Sequence, residues 1–191
     1  MARRKGTTLA QRPSPRAWTY EDYLRIPNDG NRYEVAWGEL TMPPSPTSGH
    51  QRVVGALFSA LYQHVASLDL GAVFVAPLDV VLSEHNVLQP DILFVSKERL
   101  DIVTETHVAG SPDLVIEVLS PGTAAFDRGR RMDAYAAFGV THCWLVDPRS
   151  HAFEVYELRG ERYELVARFT EDDAFAPALF PGLAVSLESL W

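Results

Sequence analysis

Apolar residues follow a helical spacing in one long stretch of the chain, residues 49–69. Five of them recur three or four positions apart along much of it: Val53, Val54, Leu57, Leu61 and Val65. This spacing predicts an amphipathic helix with one buried face, and Gly71 is expected to close it. A shorter helix is predicted over residues 19–26, because Thr19 and Asp22 resemble a capping box.

Elsewhere the apolar residues form short runs that turn residues separate, as is typical of strands. The predicted strands are residues 32–35, 39–42, 72–76, 79–82, 92–95, 113–119, 141–146, 153–158 and 162–169. A third helix is predicted over residues 123–139. Residues 83–88 are predicted to be a polar turn, residues 96–110 a connection with one helical turn, and residues 177–191 an irregular end with a short terminal turn.

The order of these elements predicts an α+β, or mixed α/β, domain over residues 17–191, with helices against a mixed central sheet. Residues 1–16 are basic and rich in Pro and Ser, so we expect this tail to be disordered. The sequence contains neither GxGxxG nor GxxxxGK(S/T), which disfavours the nucleotide-binding folds that carry those signatures.

One carboxylate, Glu117, interrupts an almost continuous apolar run. The residues around it are Val115, Ile116, Val118 and Leu119. Such a run is typical of a strand that is buried on both faces. Because an unpaired buried charge is costly, Glu117 is expected to be ion-paired, protonated or bound to a metal.

Two Pro-Asp dipeptides precede apolar strands, and strand geometry separates their roles. Asp113 and Glu117 are four residues apart, roughly 13 Å at about 3.3 Å per residue, so they cannot share one ion. Asp91 begins its strand and Glu117 lies late in the next, so the two meet if these strands are antiparallel neighbours. We expect them to bind Mg²⁺ or Mn²⁺ there, and Asp113 to cap a strand entrance at the opposite end. The alternatives are a turn cap for Asp91 and an ion pair with a buried arginine for Glu117.

Charge and composition narrow the classes of function. The net charge is −8, which argues against general nucleic-acid binding because phosphate contacts depend on Lys and Arg. The sequence shows no membrane-spanning run and no signal peptide, and its one cysteine, Cys143, suits a reducing compartment, so we expect a cytoplasmic protein. A zinc site is disfavoured by the lone cysteine, and a serine hydrolase by the lack of GxSxG.

Several segments together resemble a known family. They are QPDILFV, SPDLVIEVLSPGT and DRGRRMDAYAAFGVTHCWLVDP, with RYEVAWGEL and MPPSPTSGHQRVVGALFSAL before them. They are similar to the bacterial "putative restriction endonuclease" family of the PD-(D/E)xK nuclease superfamily, over residues 18–148. The resemblance implies a restriction-endonuclease-like fold and Mg²⁺-dependent hydrolysis of DNA phosphodiester bonds.

The resemblance also implies roles for individual residues. Asp91 matches the aspartate of the family motif and Glu117 its acidic partner, so both would hold the metal ion. Glu34 matches a further acid of the pattern, although a solvent-facing glutamate on a strand is the alternative. His50 matches as well, but its place at the start of a helix predicts a surface residue.

The basic residue of the motif departs from the superfamily pattern. Leu119 stands where the motif has lysine, and the family commonly moves that lysine to the following helix, where this chain has Arg131. Arg131 precedes Tyr135 by four residues, so both lie on one helix face. Arginine can bind a phosphate through two parallel hydrogen bonds but is a poor base, because its guanidinium stays protonated in proteins. A solvated arginine is the alternative.

Two other functions stay open at this stage. The chain could be a degenerate nuclease fold that binds nucleic acid or protein without cutting, as the missing lysine indicates. It could also be chiefly an oligomer-forming unit, a homodimer whose interface is the hairpin of residues 153–169.

Overall fold

A computed structural model describes residues 16–122, 124–170 and 173–191 of the chain. The predicted disordered tail lies outside the described residues, apart from Arg16. Thr123, the predicted first residue of the third helix, lies outside them as well.

The chain alternates between strands and mostly short helices. The helices are α1 (Tyr20–Tyr23), α2 (Ser48–Ser67), α3 (Ala124–Phe126) and α4 (Met132–Ala137), with 3-10 turns at Lys97–Ile102 and Leu187–Leu190 and a π-helical turn at Asp127–Arg131. The strands are β1 (Glu34–Ala36), β2 (Glu39–Thr41), β3 (Gly71–Val75), β4 (Asp79–Ser83), β5 (Asn86–Leu88), β6 (Ile92–Ser96), β7 (His107–Ala109), β8 (Leu114–Val118), β9 (His142–Asp147), β10 (Ala152–Arg159), β11 (Arg162–Phe169), β12 (Ala174–Phe175) and β13 (Val185–Ser186).

A six-stranded sheet forms the centre of the fold, in the order β11-β10-β9-β8-β6-β3. β8 and β9 run parallel, whereas β6 is antiparallel to β8, so the sheet is mixed as predicted. One face, around Ile116 and Trp144, packs against α2 and the C-terminal segment. The opposite face, around Val115 and Cys143, packs against α4 and part of a second sheet. Alternate residues of β8 therefore pack into two different hydrophobic cores, which explains its nearly continuous apolar run.

A second sheet, which was not predicted, lies beside the predicted central sheet. It has the order β2-β1-β5-β4-β7, with β4 and β7 parallel. Two of its strands were not predicted: β5 lies in the stretch predicted to be a polar turn, and β7 in the predicted connection. Val87 of β5 is fully buried between Val81 of the preceding strand and Val35 of β1, so part of its burial comes from a residue that a local pattern does not contain.

Both helices that the spacing predicted near the N terminus are present. Thr19 and Asp22 form the predicted capping box at the start of α1, which is shorter than predicted. The buried face of α2 consists of His50, Val53, Val54, Leu57, Leu61 and Val65. Its Thr47 side chain accepts a hydrogen bond from the backbone N–H of His50, at 3.2 Å, and so fixes where the helix begins.

Gly71 has a different role from the predicted helix closure. It is the first residue of β3, with φ +145°, and a Cβ atom there would lie 2.1 Å from the carbonyl oxygen of Val95. Glycine is required because two neighbouring strands approach too closely for any side chain.

The predicted third helix is a helical path with an irregular centre. A π-helical turn, Asp127–Arg131, connects α3 to α4. Both Asp127 and Arg131 are buried, at 4% and 5% exposure. The turn therefore directs two charged side chains inward, as π turns often do at functional sites.

The C-terminal segment was predicted to be irregular, but it completes the core beside α2. Phe180, Leu187 and Leu190 are each at most 1% exposed. No helix in the described ranges is long and apolar enough to cross a membrane.

Candidate active site

Asp91 and Glu117 lie at one edge of the central sheet because of the register between β6 and β8. Ile92 pairs with Ile116 in this antiparallel ladder, so the next positions outward are Asp91 and Glu117. The predicted antiparallel pairing is confirmed. Both carboxylates line the same small cavity, of about 40 Å³.

The Asp91 carboxylate is held by two neighbours. Its Oδ2 accepts a hydrogen bond from the backbone N–H of Val118 at 2.9 Å, and it lies 3.1 Å from His50 Nε2. Asp91 is only 7% exposed. These contacts fix the orientation of Asp91 relative to β8 and the start of α2.

Glu117 is almost fully buried and accepts hydrogen bonds from two side chains of the following helix. Arg131 Nη1 and Tyr135 Oη both donate to Glu117 Oε1, the latter at 2.6 Å. Burial raises the pKa of Glu117 to about 8. The positive charge of Arg131 opposes that rise, whereas the negative charge of Asp91 adds to it.

Arg131 is surrounded by carboxylates. Its Nη2 donates to both oxygens of Glu34, its Nη1 to Glu117, and its Nε lies 3.5 Å from Asp127 Oδ1. Burial disfavours the charged guanidinium, but the charges of Glu117 and Glu34 outweigh it and raise the pKa of Arg131. Arg131 and Tyr135 do share one helix face, as predicted. The alternative of a solvated arginine is wrong, since Arg131 is 5% exposed.

Glu34 lies behind the cavity rather than on its wall. Its side chain is fully buried, so the alternative of a solvent-facing glutamate is wrong. Besides Arg131, it accepts a hydrogen bond from the backbone N–H of Gln89 at 3.1 Å. Glu34 thus links Arg131 to the segment that leads into Asp91.

The chemistry of the cavity suits a hard divalent cation. Mg²⁺ in proteins takes one or two carboxylates and keeps several waters, which matches Asp91 and Glu117 as a pair. Within the described residues, the hydrogen bonds to these carboxylates use only Asp91 Oδ2 and Glu117 Oε1, so one oxygen of each remains for an ion. In the described part of the chain, no group of three or more His, Cys, Asp or Glu side chains is placed to enclose a metal ion.

Asp113 lies at the far end of the strands, as predicted. It accepts hydrogen bonds from the backbone N–H of Ser96 at 2.7 Å and from Arg99 Nη1 at 2.8 Å. It therefore fixes a strand entrance and takes no part in the cavity.

Two residues of the site were missed or misjudged in the sequence. His50 was predicted near the surface, but it is 8% exposed and contacts Asp91. Asp127 was not singled out in the sequence, but it lines the cavity beside Arg131. The spacing of Asp127 and Arg131, four residues apart on a predicted helix, was the available signal for Asp127.

Comparison with known proteins then places the chain. Residues 20–188 match the model of the Uma2 family, described as "Putative restriction endonuclease". The chain belongs to this family. No curated protein has significant sequence similarity to it.

A crystal structure shares the fold. It is described as a "putative nuclease belonging to DUF820" from Anabaena variabilis ATCC 29413. The similarity covers 90% of this chain and 96% of that one, with 21% sequence identity and a TM-score of 0.74. The predicted α+β fold class is confirmed.

Proposed function

We propose that this chain is a nuclease that hydrolyses DNA phosphodiester bonds with Mg²⁺ or Mn²⁺ held by Asp91 and Glu117. Membership of the family and a fold shared with a structure described as a nuclease support the reaction class. The observation that carries the proposal is the convergence of two buried carboxylates from neighbouring strands on one cavity.

A divalent cation at this position would polarise the scissile phosphate and lower the pKa of an attacking water. Asp91 is already oriented for such a ligand role by Val118 and His50. Glu117 must lose its proton to serve, and the neighbouring guanidinium of Arg131 favours that loss. These two acids would thus hold the ion, while His50 and Arg131 position them.

Arg131 contributes to this function by neutralising buried carboxylates rather than by binding the substrate. Three carboxylates surround its guanidinium, those of Glu34, Glu117 and Asp127. Its Nη1 and Nη2 donate to protein carboxylates, whereas its buried Nε has no hydrogen-bond partner among the described residues. We assign Arg131, with Glu34, to maintaining the orientation of Glu117. A charge that neutralises buried acids does not require reversible protonation, which arginine could not provide.

The proposal is tested with purified full-length protein on supercoiled plasmid and on single-stranded DNA, with Mg²⁺ or Mn²⁺. Asp91→Asn and Glu117→Gln are the matched variants, because each removes a charge with little change of shape. Cleavage by the wild type and a loss of at least about 100-fold in both variants is expected. Equal cleavage by all three proteins would indicate a contaminant, and no cleavage with either metal would refute the proposal.

One observation favours a second candidate, a nuclease fold that binds nucleic acid without cutting it. In the described part of the chain the one lysine, Lys97, pairs with Asp69 at the opposite end of β3 and β6 from Asp91. The cavity thus has no lysine from the described residues. If Arg131→Lys cleaves DNA and the wild type does not, decay at this position is the explanation, and the second candidate replaces the first.

A further inference from the structure

Two arginines line the cavity, Arg32 and Arg131, and their surroundings differ. The guanidinium of Arg131 is held by three carboxylates, and its side chain is 6% exposed. The side chain of Arg32 is 29% exposed, and the carboxylate of Glu34 lies 3.6 Å from its Nη2. That carboxylate is also bound to Arg131, so the charge of Arg32 is the less compensated of the two.

Neutral acceptors fix the position of the Arg32 guanidinium. Its Nε donates to the side-chain oxygen Oε1 of Gln89 at 2.9 Å, and its Nη2 donates to the backbone oxygen of Gln89 at 2.9 Å. Its Nη1 has no hydrogen-bond partner among the described residues. The group is thus held on one side, while its remaining donors are available at the wall of the cavity.

The anchor of Arg32 is itself fixed from behind. Gln89 is 8% exposed, and its Nε2 donates to Asp79 Oδ1 at 2.7 Å and lies 3.2 Å from Tyr23 Oη. Asp79 offers only acceptors and Arg32 only donors, so the amide of Gln89 has one consistent orientation. Tyr23 Oη donates to the same Asp79 oxygen, at 2.8 Å. A network that joins α1, β4 and the segment between β5 and β6 therefore positions one guanidinium, although Arg32 itself lies outside any strand.

The location of this network relates it to the acids. Gln89 is two residues before Asp91, on the segment between β5 and β6. Arg32 is thus attached to the same short segment as Asp91, and both line one cavity with Glu117. A pre-positioned, partly exposed arginine beside a pair of carboxylates suits a phosphate that bridges protein and cation.

We propose that Arg32, rather than Arg131, is the residue that binds a backbone phosphate of the nucleic acid in this cavity. The inference deepens the proposed function and rests on it for the identity of the ligand. Arg32 acts in substrate binding, so its loss reduces DNA affinity and leaves the affinity for Mg²⁺ unchanged.

The test compares Arg32→Gln, Arg32→Lys and the control Arg162→Gln with the wild type. Arg162 is an exposed arginine at the hairpin turn between β10 and β11. The register across β8, β9, β10 and β11 places it near the end of the sheet opposite Glu117. Binding of labelled single-stranded and duplex oligonucleotides is measured by fluorescence anisotropy in EDTA and, separately, with Ca²⁺ in place of Mg²⁺, over a series of NaCl concentrations. Thermal unfolding checks that each variant folds.

Loss of one phosphate contact makes the negative slope of log K against log[NaCl] shallower, by about 0.7 for single strands and about 0.9 for duplex DNA. We expect that change for Arg32→Gln, with affinity about tenfold lower, and no change for Arg162→Gln. Arg32→Lys should keep the slope and lose affinity, because lysine retains the positive charge but lacks the planar guanidinium that can donate two parallel hydrogen bonds to a phosphate. A slope for Arg32→Gln equal to that of the wild type would overturn the inference, and so would a wild type that binds no oligonucleotide.

Calorimetry supplies two further arms. Titration with Mg²⁺ should give equal affinities for the wild type and Arg32→Gln. A loss of Mg²⁺ affinity as large as that of Asp91→Asn would mean that Arg32 only supports Asp91, and would overturn the inference.

Titration with inorganic phosphate distinguishes a free anion from a backbone phosphate. Phosphate binding without oligonucleotide binding would overturn the nucleic-acid assignment. Oligonucleotide binding that depends on Arg32, without cleavage under Mg²⁺ or Mn²⁺, would refute the proposed hydrolysis and leave the Arg32 contact standing.

Discussion

His50 Nε2 lies 3.1 Å from Asp91 Oδ2, and the side chains of both residues are 10% exposed. His50 is in the first turn of α2, and Asp91 immediately precedes β6. The start of the long helix is thereby tied to an acid at the edge of the central sheet. Groups that orient a metal ligand in this way commonly set the affinity of the metal.

Replacing His50 with Ala should lower the affinity for Mg²⁺ by about 10- to 100-fold, because Asp91 would lose one of the two contacts that orient it. Gln51→Ala, at the exposed neighbouring position of α2, is the matched control and should leave the affinity unchanged. Calorimetry measures both. Equal affinities for the two variants would contradict the orienting role of His50.

Removal of the Arg131 charge should destabilise the fold strongly. Arg131→Met removes the closest cation of the two buried acids Glu34 and Glu117, which costs about 3–5 kcal/mol. Arg130→Met removes only an exposed ion pair with Glu39 and should cost less than about 1 kcal/mol. Urea denaturation gives both free energies of unfolding. Equal losses in the two variants would show that Arg131 has no special structural role.

Stability should depend on pH through Glu117. Its pKa is raised from 4.5 to about 8 in the folded protein, chiefly by burial, so between those values the folded state holds a proton that the unfolded state has released. The stabilising contribution is complete below about pH 4.5 and is lost as the pH rises through about 8. In metal-free buffer, the free energy of unfolding of the wild type should therefore fall relative to Glu117→Gln from pH 5 to 8.5. A difference that does not vary with pH would contradict the raised pKa.

A pair of glycine variants tests the close approach of β3 to β6. Gly71→Ala places a Cβ atom 2.1 Å from the carbonyl oxygen of Val95, and we expect a loss of about 3 kcal/mol. Gly55→Ala adds its Cβ where no atom lies within 4 Å, in the interior of α2, and should stabilise the protein by about 0.5–1 kcal/mol. Chemical denaturation measures both. A neutral Gly71→Ala would mean that the two strands can separate at little cost.

The homodimer stays a prediction, and β11 is where we expect its interface. This eight-residue strand is at an edge of the central sheet, and Leu165 and Val166 are 51% and 41% exposed on it. An unpaired, partly apolar edge invites pairing with another strand. Sedimentation should show a dimer for the wild type and a shift toward monomer for Leu165→Lys. A monomer at all concentrations of the wild type would refute a stable dimer.

The positions of Asp91 and Glu117 could be predicted because they depend only on which strands are neighbours and on the two-residue repeat of side chains along a strand. Asp91 immediately precedes β6 and Glu117 lies near the end of β8, so an antiparallel neighbour relation between the two strands is enough to bring them together. The same reasoning separated Asp113 from the site. Glu117 could be singled out because a charged residue lies inside an apolar run that is expected to be buried.

The burial of His50 could not be predicted, because it depends on a contact between residues 41 positions apart. Strand β5 was missed for a related reason, since its three buried residues fit between β4, which directly precedes it, and β1, which is distant in the sequence. The C-terminal segment has no regular period, although Phe180 and Leu187 fill the core. In each case the deciding neighbours are remote in sequence.

The charge balance of the cavity depends on the number of residues in the π-helical turn Asp127–Arg131, because that number sets the direction of the Arg131 side chain. Each residue of an α-helix advances the side-chain direction by about 100°. Removing one residue from this turn would rotate Arg131 by about that angle relative to α3 and carry its charge away from Glu34 and Glu117. An insertion or deletion in this turn can therefore change the charge balance of the cavity while every acidic residue stays in place.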